Sequence, residues 1–94
     1  MTDSIYAKHP DPAKQGVNIS KDKYDKMKNT MISIIEDRGE VAFGDLMKLT
    51  KEKLKEKFNG SIGWYTTVVK LDLEARGIIE RIPEKKPQFL RLTK

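Results

Sequence analysis

The side chains with the chemistry to grip a nucleic acid are gathered in the last third of this 94-residue chain. Ser61, Thr66, Thr67 and Lys70 offer hydroxyl and ammonium donors within one run, SIGWYTTVVKLDLEAR, and such groups contact base edges or phosphates when a helix enters a groove. Behind them Arg81, Lys85, Lys86 and Arg91 supply cations, with Lys85 and Lys86 adjacent, which is the composition of a phosphate-contacting cluster. Catalytic chemistry has much less to work with. His9 is the only histidine and sits among Pro10 and Pro12, where a solvent-facing loop residue is expected. Asp72 and Glu74 are two apart on a helix, so they diverge by about 160° and do not act as a pair. No nucleophile has a neighbouring histidine, no glycine loop is built to cradle phosphate, and there is no metal-ligand cluster. The expectation is a binding protein without enzymatic activity, cofactor or metal.

Composition points the same way. At 10.8 kDa the chain is expected to form one cooperative unit with a modest core. Hydrophobic residues make up 37% and charged residues 35%, which suits a globular domain with a densely charged surface. No apolar run reaches the length of a membrane span, so no membrane partner is expected. The beginning, MTDSIYAKHPDPAKQG, lacks the features of a signal peptide, and there are no cysteines; together these predict a cytoplasmic protein. The net charge of +5 is placed unevenly. From Ile78 to Lys94 there are five cations against two carboxylates, whereas from Ser61 to Gly77 Lys70 and Arg76 cancel Asp72 and Glu74.

The elements that must position these residues follow from apolar spacing and from caps. Residues 1–19 read as an arm, interrupted by Pro10, Pro12 and Gly16, in which only GVNI alternates; it either docks as one short strand or stays loose. Residues 20–94 read as the folded domain. Ser20 as N-cap and Gly39 as stop bound a first helix whose Tyr24, Met27, Met31, Ile34 and Ile35 share one stripe, with Ile32 at its edge. EVAF then allows a brief strand. A second helix is expected from Phe43 to Phe58, with Phe43, Leu46, Met47, Thr50, Leu54 and Phe58 on one face and room for a break at Thr50, whose hydroxyl can cap a new segment. Its KEKLKEK run mixes both signs and reads as a solvated face.

Asn59 and Gly60 stop that helix, Ser61 caps a third, and Gly77 ends it. Two extended segments follow, IIERIP and PQFLRLT, separated by EKK, with Pro83 and Pro87 suited to strand ends. Two helices joined by a tight glycine turn make a helix-turn-helix. Three helices followed by a hairpin make a winged helix. The expected class is therefore α+β, mainly helical, with a two-stranded C-terminal wing and room for a short third strand.

LEARGIIER, Leu73 to Arg81, resembles the end of the recognition helix and the first wing strand of bacterial regulators of the winged helix-turn-helix type. The shared features are a Leu-Glu pair, two further residues, glycine, two aliphatics and a late arginine. The chain as a whole, with HPDPAKQGVNI, GWYTTVVKLDLEARGIIERIP and PQFLRL, is still more similar to a family of small uncharacterised bacterial winged-helix domains, and that likeness brings no activity with it. The regulator resemblance implies duplex DNA contact through the start of the third helix and the wing.

The third helix departs from that pattern, because it is apolar on two sides. Ile62, Tyr65, Val69 and Leu73 form one stripe; Trp64, Val68, Leu71 and Ala75 form another. The resemblance implies a core role for Val69 and Leu73, which leaves Trp64, Val68 and Leu71 where DNA would lie. Three readings of that second stripe stand open. The arm or the wing covers it; it is a homodimer or partner interface anchored by Trp64; or Trp64 stacks on a base. Two functions are carried forward: weak duplex DNA binding through the wing and the third helix, and protein interaction or self-association through the Trp64, Val68, Leu71 patch without a DNA role.

Overall fold

A computed structural model describes residues 3–11 and 13–93. Pro12, expected to interrupt the arm, and Lys94, counted in the basic tail, lie outside the described residues. The elements in order are β1 (Ser4–Ala7), β2 (Val17–Ser20), α1 (Lys21–Arg38), β3 (Glu40–Ala42), α2 (Phe43–Leu54), α3 (Ile62–Ala75), β4 (Ile79–Arg81) and β5 (Phe89–Leu92). The fold is α+β, about half helical, with two small antiparallel sheets ordered β1-β2 and β3-β5-β4. The two-stranded sheet is therefore the N-terminal one, and the C-terminal hairpin belongs to a three-stranded sheet, in which β3 from EVAF supplies the short third strand that the sequence allows and pairs with β5.

The apolar period of the first helix is realised residue for residue, since Tyr24, Met27, Met31, Ile34 and Ile35 are all buried. Ser20 precedes α1, yet its side chain makes no capping bond, because the residue also closes β2 opposite Ser4. Gly39 ends the helix at φ 79° and donates its N–H to the Ile35 carbonyl at 2.8 Å, a left-handed position that favours glycine. EVAF supplies β3, which pairs with β5 from Glu40 opposite Arg91 to Ala42 opposite Phe89.

The second helix is shorter than its apolar pattern suggests. It stops at Leu54 instead of running to Phe58, and a turn follows in which Lys57 donates to the Leu54 carbonyl at 2.9 Å. The turn carries Phe58 inward against Tyr65, with ring centroids 5.0 Å apart, so Phe58 is buried from a turn and not from a helix face. Thr50 does not break the helix; it is fully buried inside α2, and its hydroxyl caps nothing. Met47 is only half-buried. For α3 both predicted ends hold. The Ser61 hydroxyl accepts from the Trp64 N–H at 3.3 Å, and Gly77 at φ 75° lets Gly77 and Ile78 donate to the carbonyls of Glu74 and Leu73.

The arm differs most from expectation. It forms two strands, with Ser4 to Ala7 paired against Val17 to Ser20 in antiparallel register. Gly16 is needed at the start of the second strand, because a Cβ there would lie 1.9 Å from the Ala7 carbonyl oxygen. Ala7 and Ile19 from this hairpin join a core formed by Met27, Met31 and Ile35 of α1, Leu46 of α2, Val69 and Leu73 of α3, Ile79 and Leu90. The core thus sits where all three helices meet the C-terminal sheet, with the N-terminal hairpin closing one side.

Candidate functional site

Helix α3 is the element on which both expected functions depend, and its polar residues divide by burial. Thr66 is fully buried, donates its hydroxyl to the Ile62 carbonyl at 2.7 Å and lies 3.5 Å from the Met27 sulfur. Lys70 is 3% exposed, forms an ion pair with Glu74, and its ammonium lies 5.2 Å from the centroid of the Phe43 ring. Neither side chain reaches a groove, so the assignment of Thr66 and Lys70 to base contact is corrected. The reason is the width of the buried face: α3 is packed against α1 on one side and the start of α2 on the other, and positions flanking the Val69–Leu73 stripe are covered too. Thr67 is exposed, but its hydroxyl is occupied with the Gly63 carbonyl at 3.1 Å. Ser61 is exposed and acts as the cap.

The cations of the C-terminal hairpin are also partly committed. Lys85 pairs with Glu40 of β3 and lies over the Phe89 ring, 4.3 Å from its centroid. Arg91 pairs with Glu80 across the β4–β5 register at 2.6 Å. Arg81 and Lys86 are exposed and have no carboxylate partner among the described residues. Of the proposed nucleic-acid residues, Ser61, Thr67, Arg81, Lys85, Lys86 and Arg91 are exposed, and among their four cations Arg81 and Lys86 have no carboxylate partner among the described residues.

The second stripe of α3 is treated differently along its length. Trp64 is 48% exposed, and its ring meets Tyr65 edge-on with centroids 4.9 Å apart. Val68 and Leu71 are half-buried beside the N-terminal hairpin, where Ala7, Gly16 and Val17 face them across a notch of about 60 Å³ edged by Lys8, His9 and Gln15. The arm therefore flanks this stripe without covering it. Val17, which lines the notch, is exposed as well. His9 lies in the loop after β1, partly exposed, and its Nδ1 accepts from the Asp11 N–H at 3.0 Å.

Asp72 is the residue whose role the sequence did not disclose. It is fully buried, and its carboxylate accepts from the Tyr24 hydroxyl, from the Arg76 Nε at 2.9 Å and from the Lys8 backbone N–H at 2.8 Å. Arg76 also donates to the Tyr6 carbonyl at 3.2 Å. One carboxylate and its arginine thereby join α1, α3, β1 and the residue that follows β1. Burial, the hydrogen bond to Asp72 and its negative charge all hold the Tyr24 phenol protonated to well above the usual tyrosine range, and the bond to Asp72 also raises Arg76. These donors offset the cost of burying that charge. The signal available beforehand was an Asp set between Leu71 and Leu73 with an arginine four residues on, a spacing that makes an i,i+4 pair.

Among the described residues no group of histidine, cysteine and acidic side chains is arranged to hold a metal, and no helix is long and apolar enough to cross a membrane. No curated protein and no solved structure matches the chain. A family model matches residues 4–90, nearly the whole length, and so takes in the N-terminal hairpin, all three helices and most of the C-terminal sheet: the chain belongs to a family of unknown function, DUF6958.

Proposed function

We propose that this protein is a winged-helix binding module whose working surface is the solvent face of α3, and that it holds another polypeptide there. The winged-helix reading is supported by the element order, in which β3 lies between the first two helices and the β4–β5 hairpin follows the third. The polypeptide reading is carried by one observation. The exposed side chains of α3 are Trp64 and Thr67, with Val68 and Leu71 half-buried beside them, while Thr66 and Lys70 are withdrawn into the core. A surface that reads bases needs free donors and acceptors, whereas a surface that anchors a polypeptide needs a half-exposed aromatic with aliphatic neighbours.

The test is site-specific. A photoreactive phenylalanine analogue placed at position 67 should, on irradiation in cells producing the protein, give a discrete adduct to another polypeptide; the same analogue at position 48 on α2 should not. A nuclease-sensitive adduct at position 67, or none at all, contradicts the proposal. An adduct of twice the chain mass identifies the second polypeptide as another copy.

A second reading, duplex contact through the wing, is favoured by Arg81 and Lys86, the exposed wing cations without a carboxylate partner among the described residues. With so few free cations such binding is weak, sequence-independent and lost at moderate salt. A titration with mixed-sequence duplex at rising ionic strength, in which backbone NMR shifts are confined to the β4–β5 hairpin, is the outcome that reading requires.

A further inference from the structure

The exposed end of α3 does not stand alone, because several lysines without a carboxylate partner among the described residues lie beside it. Phe58, Tyr65 and Trp64 form an edge-to-face ladder with successive centroids 5.0 and 4.9 Å apart. The Lys23 ammonium of α1 lies over this ladder, 5.3 Å from the Tyr65 ring and 5.9 Å from Phe58, and the side chain of Lys51 runs alongside Gly63. Beyond the ladder, where the start of α1 meets the end of α2, Lys26, Lys53 and Lys57 surround an open groove of about 760 Å³. Its other lining residues are Thr30 and Leu54, so none of the five is acidic; Glu56, the one acid between Leu54 and Gly60, stands outside the lining. The Lys26 ammonium is steadied at the groove by the Lys57 carbonyl at 3.1 Å. On the α3 side the first turn holds no acid, and Glu74 and Asp72 are committed to Lys70 and Arg76.

Resting on the proposed polypeptide-binding role of α3, we infer that the partner is an acidic segment carrying aliphatic or aromatic anchors. Its anchor enters the notch between the N-terminal hairpin and Val68 and Leu71, its chain crosses Trp64, and its carboxylates face Lys23 and the Lys26, Lys53, Lys57 groove. Charge complementarity selects this occupant over two others. A second copy brings a net charge of +5 and the same lysines against these lysines. A nucleic acid satisfies the lysines and can stack on Trp64, but it has no aliphatic group for the notch. Leu71 to Trp64 spans about 10 Å along α3, and the ladder carries the track on from Trp64 to Phe58 in two ring-to-ring steps of 4.9 and 5.0 Å.

The experiment is selection of a random twelve-residue peptide library, displayed on phage, against the immobilised full chain and against the Lys26→Glu, Lys53→Glu, Lys57→Glu triple variant. Emission from Trp64, the only tryptophan, reads out the binding of individual selected peptides. The expected pool from the unmodified chain combines Asp and Glu with Leu, Ile, Phe or Trp. The triple variant should bind those peptides about tenfold more weakly, the scale of a few exposed ion pairs lost together, and should select a pool without the acidic bias. Apolar pools with no acidic bias overturn the inference while leaving the α3 contact surface standing. No enrichment, together with quenching of Trp64 by twelve-residue oligothymidylate that the triple variant abolishes, overturns both and makes the groove a nucleic-acid track. The triple variant changes only exposed groove residues, and a melting temperature matching the parent certifies its fold.

Discussion

The two halves of α3 handle polarity in opposite ways. From Val69 to Arg76 every charged side chain has a partner within the fold: Lys70 with Glu74, and Arg76 with Asp72, which also holds Tyr24 and the first strand. From Ile62 to Val68 there is no charged residue at all, and the largest side chain, Trp64, is nearly half exposed. Charge in the later half ties the N-terminal hairpin and α1 to the helix. The earlier half borrows its electrostatic setting from Lys23 and Lys51 on neighbouring helices. The charged residues of α3 thus serve the fold, while the large side chain that the helix leaves most exposed is Trp64.

That contrast can be broken hardest at Asp72. Asp72→Ala leaves the Tyr24 hydroxyl, the Arg76 guanidinium and the Lys8 N–H without their acceptor in a buried place, and should cost about 3–5 kcal/mol in urea unfolding. Next in size is Gly16→Ala, which sets a methyl group into the Ala7 carbonyl. A loss of about 1–3 kcal/mol is expected, with hydrogen exchange accelerated in the amides of β1 and β2 before those of α1.

Tyr24→Phe sharpens the comparison, because it removes one bond from the Asp72 cluster while keeping the ring, and should cost about 1–3 kcal/mol, the range for taking one partner from a buried acceptor. Its signature is in alkali. The folded phenol keeps its proton above the ordinary value of about 10 at which an unfolded tyrosine loses it. Below that pH both states are protonated and the contribution is complete. Above it the folded state binds more protons than the unfolded state, so stability falls as pH rises. The stability of the Tyr24→Phe variant should therefore fall less steeply above pH ~10 than that of the parent. Smallest of all is Trp64→Ser, an exposed change expected to move stability by no more than about 0.5 kcal/mol while abolishing capture of selected peptides.

What could be read from the sequence was whatever local periodicity and caps encode. The α1 stripe, the Ser61 cap, the Gly39 and Gly77 stops and the pairing-competent segments after Gly77 are all determined within a few residues of chain. Asp72 is hidden because two of its partners, Tyr24 and Lys8, lie 48 and 64 residues away, and within α3 its charge is simply cancelled by a lysine or an arginine. The N-terminal hairpin was half legible. GVNI alternates, but its mate SIYA is separated from it by a connection rich in proline and charge, and the pair gains its stability by docking Ala7 and Ile19 into a core made elsewhere. The C-terminal hairpin was legible as strands, but not the neutralisation of Lys85, since Glu40 is brought beside it only by the β3–β5 pairing.

The most direct test of this division of α3 is the yield of the photo-adduct at position 67 in a Trp64→Ser background, measured beside the melting temperature of the same protein. The account predicts an unchanged melting temperature and loss of the polypeptide adduct. Retention of the adduct with Trp64 absent, or a melting temperature lowered to that of Asp72→Ala, would contradict it, the first by removing the anchor from the contact and the second by making Trp64 part of the scaffold.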